Sequence, residues 1–318
     1  MKILITGITG MIGSHLADYL TSLNGIKISG FVRPQSKDKN ISHLKARIKI
    51  FYGSIENKEA VFTAVKNSKP DIIFHLAAQS SPFRSWKDPI GTFNTNVNGT
   101  INLLEAVKDL KTDPVIFIAC SSAEYGFVKP NEVPIQEDRY LRPLSPYGVS
   151  KAAQELLGIQ YFENYKIKTI MGRFFNQIGP RQDPSYAIQS FCKQVVEIEK
   201  GKRKPEITVG NLKTRRDFLD VRDGARAIWS LVNKGKYGEV YHVCSGKSPT
   251  IREALNLILS RTGEKIIVKV DKHLFRPSDE PILLGDNSKL KKDTGWKAQY
   301  SFVETVDFML NALRLNDS

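Results

Sequence analysis

KILITGITGMIG, residues 2–13, decides how the rest of the chain is read. KILIT (2–6) is a short apolar run, a glycine-rich turn follows, and a helical pattern then continues through Leu20. Glycines fall at positions 7, 10 and 13. In a strand–turn–helix unit Gly7 permits the tight turn, and Gly10 lets the backbone approach a pyrophosphate at the helix N-terminus. Gly13 lets the helix pack closely on the strand. A glycine triplet alone says little, but this one stands at the head of a series of alternating strands and helices, the context a dinucleotide site requires.

Further apolar runs follow at similar spacing: IKISGFV (26–32), RIKIFY (47–52), DIIFHLAA (71–78), PVIFIACS (114–121) and KIKTIMGRFF (166–175). Helical patterns separate them, notably ENKEAVFTAVKN (56–67), TNVNGTINLLEAVKDL (95–110) and the stretch beginning near Ser145. This alternation predicts an α/β fold with a doubly wound parallel Rossmann sheet covered on both faces. After Asn176 the rhythm breaks into loops, short helices and one more strand, EVYHVCS (239–245). The expected division is a cofactor-binding domain over 1–175, with 212–245 returning to it, and a smaller mixed α/β C-terminal substrate lobe over 176–318.

Composition narrows the class. The chain has 318 residues, 41% hydrophobic and 25% charged, which is an ordinary globular balance. Cys120, Cys192 and Cys244 lie far apart with no paired spacing, so neither a disulfide framework nor a metal site is expected, and a reducing cytoplasm fits. The N-terminal apolar run is broken by glycines and reads as no signal segment, and no stretch is long and apolar enough to span a membrane. A net charge of +14 raises the question of nucleic acid. Lys and Arg are scattered without an arm or a basic aromatic motif, so a lysine-rich surface with one anionic small-molecule site is the expectation.

The choice of cofactor is read at the end of the second strand. An NAD site commonly places an acid there for the ribose hydroxyls. FVRPQSKDK places Arg33 there instead. A guanidinium pairs with a ribose phosphate and has no acceptor for a hydroxyl, so NADP(H) is expected. The chemistry is read in PYGVSK (146–151), where Tyr147 and Lys151 project from one helix face at i and i+4. A neighbouring ammonium lowers a phenol's pKa, which suits the pair to proton transfer near neutrality. Ser121 ends the fifth apolar run, where open α/β sheets bind their ligands.

In order, GITGMIG, HLAA, NVNGT, Ser121, YGVSK and RFFNQIGPRQ resemble the motifs of the extended short-chain dehydrogenase/reductases acting on nucleotide sugars. The resemblance covers nearly the whole chain. It implies that Tyr147 is the acid/base, that Lys151 holds the nicotinamide ribose and tunes the tyrosine, and that Ser121 hydrogen-bonds the reacting sugar oxygen. It also implies a cofactor site of Gly7, Gly10, Met11, Ile12, Gly13, Arg33, Ser54, Ile55, Leu76, Ala77 and Ala78 with Tyr147 and Lys151. Ser54 is a departure, since many relatives carry an Asp there that contacts adenine. A homodimer built on helices 95–110 and 145–165 is implied as well.

Within this family the residue at Ala123 separates chemistries. The 4,6-dehydratases carry a Glu there that takes part in eliminating water, and a methyl group moves no proton. The epimerase-reductases that make GDP-fucose carry a Cys there and a His at the place of Arg181. Glu124 and Cys120 are adjacent in sequence, but neighbours on a strand point to opposite faces. Reduction of a ketone, or 4-epimerisation through a transient ketone, remains, and Arg33 favours reduction. HLFRPSDEPILLGDNSKLKKDTGW (273–296) resembles the GDP-mannose branch, which implies that Arg276 and Asp279 hold the nucleotide. Lys193 and Arg216 are candidates for the diphosphate, and Ser121, Ser122, Tyr147 and Asn176 for the sugar. The expected reaction is NADPH-dependent reduction of GDP-4-dehydro-6-deoxy-D-mannose to GDP-D-rhamnose. The alternatives are a GDP-mannose 4,6-dehydratase, a 4-epimerase and a non-catalytic NADP-binding regulator.

Overall fold

In the computed structural model, which describes residues 1–275 and 280–315, the first half of the chain alternates strand and helix. In chain order come β1 (Lys2–Thr6), α1 (Met11–Thr21), β2 (Lys27–Val32), β3 (Ile48–Tyr52), α2 (Lys58–Ser68) and β4 (Ile72–His75). Two short helices, α3 (Pro82–Lys87) and α4 (Pro89–Phe93), lead to α5 (Gly99–Asp109), β5 (Val115–Ser121), α6 (Pro146–Tyr165) and β6 (Thr169–Phe174). Beyond them lie β7 (Asn176–Ile178), α7 (Ala187–Glu199), β8 (Glu206–Val209), β9 (Arg215–Arg216), β10 (Phe218–Asp220) and α8 (Val221–Lys234). The chain ends with β11 (Val240–Val243), α9 (Ile251–Leu259), β12 (Ile267–Val270), β13 (Ile282–Leu283), α10 (Ser288–Thr294) and α11 (Phe302–Leu315). Arg276 and Asp279 lie outside the described residues.

Seven strands form one parallel sheet in the order β11-β6-β5-β4-β1-β2-β3. The continuous apolar runs follow from burial on both faces: every residue of β4 and β6 is buried. On one face Leu16 and Leu20 of α1, Ile228 and Leu231 of α8 and Trp296 pack over Phe74 and Phe117. On the other, Val61 of α2, Leu103 and Val107 of α5 and Tyr161 of α6 cover Leu4, Ile73 and Met171. A separate core of Phe191, Val195, Ile207, Leu255, Ile258 and Met309 holds the second lobe together. The three remaining strand pairs, β7 with β10, β8 with β12 and β9 with β13, are short and also parallel.

The strand order reverses between β1 and β4, and the loops leaving their C-terminal ends part there. One difference from the periodicity lies before α5. Asn94–Asn98 form a π-helical turn, and Asn96 is held in it by bonds to Gln79 O and Ser150 Oγ at 3.1 and 2.8 Å. Among the described residues no helix is long and apolar enough to cross a membrane.

Candidate active site

A cleft of about 740 Å³ opens at the reversal point and runs between the sheet and the second lobe. At its base the turn after β1 needs its glycines for space as well as for backbone angle. Gly7 has φ +72°, and a Cβ there would stand 2.7 Å from Ala77 N. At Gly13 a Cβ would come within 2.4 Å of Gly7 O, so α1 could not seat. The first turn of α1 therefore faces the cleft with free backbone N–H groups, the chemistry that holds a pyrophosphate. Met11 and Ile12 line this end together with Leu76, Ala77 and Ala78.

The wall after β4 is fixed by His75, which is buried and bonded to Thr6 Oγ1 at 2.9 Å and Thr100 Oγ1 at 3.0 Å. Burial, and then the charge of Lys151, lower its pKa to about 3, so the ring is neutral. Thr6 Oγ1 also accepts from Ala77 N at 3.2 Å. Arg33 is exposed just past β2 and lines the cleft beside Ser36 and Asn40, two residues the sequence reading did not single out. Asn40 donates to Thr9 O at 2.9 Å and ties this rim to the glycine turn.

Ser121 ends β5 and caps the 3₁₀ turn Ser122–Tyr125, its Oγ accepting from Ala123 N at 3.2 Å. Ser145 caps α6 by accepting from Gly148 N at 3.0 Å, with Pro146 at the first helical position. This start places Tyr147 in the cleft wall, with the Ser121 side chain near enough to act on its phenol. Lys151, one turn on, is 3% exposed, and its Nζ donates to Ala119 O at 2.7 Å. Burial brings its pKa down to about 8. The expectation of a phenol brought down by its lysine is not met. Burial pushes the Tyr147 phenol up, Ser121 offsets only part of that, and the Lys151 ammonium is turned to a carbonyl.

Ala123 lines the floor, and Glu124 does not. The Glu124 side chain turns below the floor, is fully buried, and accepts from its neighbour Ser121 N at 2.7 Å. Among the described lining residues near Ser121 and Tyr147, the floor therefore offers a methyl where an acid would be needed for elimination.

Of the other residues named from sequence, Ile55, Ser122, Asn176 and Arg216 line the cleft. Asn176 Nδ2 donates to Asp217 O at 3.0 Å, and Arg216 Nη1 donates to Glu280 O at 2.8 Å. Two require correction. Ser54 is not part of the wall, which Gly53 and Ile55 form on either side of it, and its hydroxyl accepts from Glu56 N at 3.4 Å. Lys193 lies on the exposed face of α7, 3.6 Å from Glu197, away from the lining residues. An i,i+4 pair on a solvated helix face explains it.

Sequence reasoning also missed wall residues. Arg181, noted only as a non-histidine, lines the cleft in a left-handed conformation with φ +68°, its Nη1 2.8 Å from Asp18 Oδ2 of α1. Phe83 and Trp86 of α3 stand exposed at the rim, and Tyr186 donates to Ser80 O at 3.2 Å across the cleft. The i,i+3 aromatics in PFRSWK, polar-flanked and just past a strand end, were the available cue.

Comparison with known proteins agrees with this arrangement. The family model described as GDP-mannose 4,6 dehydratase matches residues 4–309. The chain is 32% identical to GDP-6-deoxy-D-mannose reductase of Pseudomonas aeruginosa, over 76% of this chain and 80% of that protein. It is 30% identical to GDP-mannose 4,6 dehydratase 1 of Arabidopsis thaliana, over 97% and 88%. Among solved structures, RMD from Pseudomonas aeruginosa complexed with NADPH superposes with a TM-score of 0.87 at 27% identity, over 99% of this chain and 100% of that one. UDP-glucose 4-epimerase of Thermotoga maritima with UDP-glucose gives 0.91 at 27% identity, over the whole of both chains. With a glycine-turn cleft, a Ser–Tyr–Lys arrangement and a match over nearly its whole length, the chain belongs to the GDP-mannose 4,6 dehydratase family of nucleotide-sugar oxidoreductases.

Proposed function

We propose that this protein reduces the C4 ketone of GDP-4-dehydro-6-deoxy-D-mannose to GDP-D-rhamnose with NADPH. The observation that carries the reading is the cleft floor: Ser121 and Tyr147 face it, Ala123 gives it no acid, and Glu124 is turned away beneath it. The similarity to GDP-6-deoxy-D-mannose reductase supports the same reaction kind. The residues present fit a dinucleotide. A Cβ at Gly7 or Gly13 would strike the backbone that shapes the turn, Met11 and Ile12 line the cleft at the start of α1, and Arg33 stands at the rim where a ribose phosphate would meet it.

NADPH, when bound, supplies the hydride that adds to C4. Tyr147 is protonated at neutral pH, as an ordinary phenol is, and burial pushes its pKa further up; this is the form from which a reduction draws its proton. It gives that proton to the C4 oxygen as negative charge develops there, while the Ser121 hydroxyl steadies the same oxygen. Lys151, beneath the ring, then faces a phenolate that its charge stabilises until solvent returns the proton. Asn176 and Arg216, in the wall of the second lobe, are the described candidates to orient the sugar diphosphate. Tyr147→Phe should lower kcat by about 10²- to 10⁴-fold and leave NADPH affinity nearly unchanged.

The exposed apolar residues Val149 and Leu156, seven apart on α6, with Ile90 on α4, support a homodimer through this face. Three buried cysteines with no disulfide suit a reducing cytoplasm. The reaction is tested by following NADPH and NADH oxidation with the 4-keto sugar nucleotide and identifying the product by NMR. Consumption of NADPH in preference to NADH, with GDP-D-rhamnose formed, is expected. No consumption, but conversion of GDP-mannose to the keto sugar, would show a dehydratase instead.

A further inference from the structure

Beneath the cleft floor lies a buried charged cluster that the reaction above does not use directly. Arg173 of β6, 4% exposed, donates from Nε and Nη2 to the two carboxylate oxygens of Glu155 at 2.7 and 2.5 Å. Its Nη1 donates to Glu137 O at 2.8 Å and to the Tyr125 hydroxyl. Glu124 Oε2 lies 3.5 Å from Arg173 Nε, while Glu124 Oε1 accepts from Ser121 N at 2.7 Å. Glu155 is one helical turn beyond Lys151 and two beyond Tyr147, on the same face of α6. Cys120 Sγ and the two carboxyl groups lie within 4.8 Å of one another, but the guanidinium engages them, so the set is organised around Arg173 rather than around a metal ion.

Glu124 Oε2 has no donor directed at it. Burial, and then the charge of Glu155, push the Glu124 carboxyl well above the usual carboxylate range. A chain of contacts therefore runs from the Ser121 amide through Glu124 to the Arg173 guanidinium and on to Glu155 of α6.

We propose that Glu124 is a positioning residue for the reduction, joining the Ser121 backbone to the Glu155 face of α6 so that Ser121, Tyr147 and Lys151 are held as one unit. This rests on the reductase reading of the same cleft. The acid that a dehydratase would expose at position 123 stands one residue later here, facing inward. It serves the geometry of the site without touching the reacting atoms.

The test compares the wild type with Glu124→Gln, Glu124→Leu and Glu124→Asp. Gln keeps the shape and the oxygen that accepts from Ser121 N, Leu keeps neither the acceptor nor the polar end, and Asp is one methylene too short to bridge. Expected are kcat within about threefold of wild type for Gln and a loss of about 10- to 100-fold for Leu and Asp, with KM and Kd for NADPH unchanged. Amide hydrogen exchange at Ser121 should rise about tenfold or more in Leu and Asp but not in Gln. Wild-type kcat and wild-type Ser121 protection in Leu would overturn the proposal. Should Leu not fold, the same result in Asp would overturn it. If the wild type itself does not reduce the keto sugar, the reductase reading fails. The exchange measurement needs no substrate and then decides the positioning role alone.

Discussion

Lys151 is 3% exposed, and its ammonium donates to the Ala119 carbonyl in a place that disfavours charge. Its pKa falls from 10.5 to about 8 because of burial. Below pH 8 the folded protein must keep this buried amine charged, at a cost of up to about 3 kcal/mol for a shift of that size. Between about 8 and 10.5 the folded state binds fewer protons here than the unfolded state, so this residue's contribution to stability rises with pH. Lys151→Met should therefore raise Tm at pH 7 by a few degrees and abolish turnover. Thermal melts of both proteins from pH 7 to 10.5 check this: the gap should close as pH rises. At the same scale, strand alternation was the wrong reason for separating Ala123 from Glu124, since both lie in the 3₁₀ turn after β5, although Glu124 does turn inward. Its partners Glu155 and Arg173 were not legible, since 31 and 49 residues of chain separate them from it. Lys193 was misplaced for the converse reason, because charge type says nothing about which helix face looks into the cleft.

The element on which the chemistry depends is α6. Gly148, in its first turn, sits against the turn that carries Ser121, and a Cβ there would come within 2.6 Å of Ala123 O and 3.0 Å of Pro143 Cβ. The first of these neighbours is backbone, so Gly148→Ala must push the helix start away from Ser121. A destabilisation of about 1–3 kcal/mol is expected. A loss of about tenfold or more in kcat should accompany it, since misplacement by a fraction of an ångström separates Tyr147 from its serine. Denaturant melts and steady-state rates check both, and a variant with unchanged kcat would detach this contact from the site. At the level of elements, the strands of the large sheet were legible because burial on both faces writes them as unbroken apolar runs. The pairs β7–β10, β8–β12 and β9–β13 were not. Strands of two to four residues carry too little alternation to show, and their pairing is set by tertiary contact. The helices α3 and α4, of six and five residues and each opening on a proline, were likewise too short to show a helical period.

For the whole molecule, the cleft belongs to both lobes. The first supplies the glycine turn, Arg33, Ser121 and Tyr147, and the second closes it with Asn176, Arg181 and Arg216. The first set was legible because it follows strand ends in a fixed order, whereas the second sits on irregular segments. The apolar residues of α6 make a whole-molecule prediction: sedimentation velocity should show two copies for the wild type, and Leu156→Glu should shift the protein toward one. A wild type that sediments as a single chain would remove the dimer from the account. Under the proposed function this cleft reduces a ketone and eliminates nothing. The most direct measurement is a single reaction in D₂O with the 4-keto sugar nucleotide and protiated NADPH, read by NMR. The account predicts a product with protium at C4 and none of the solvent's deuterium at C5 or C6. Deuterium at C5 or C6, or no reduced product at all, would contradict it.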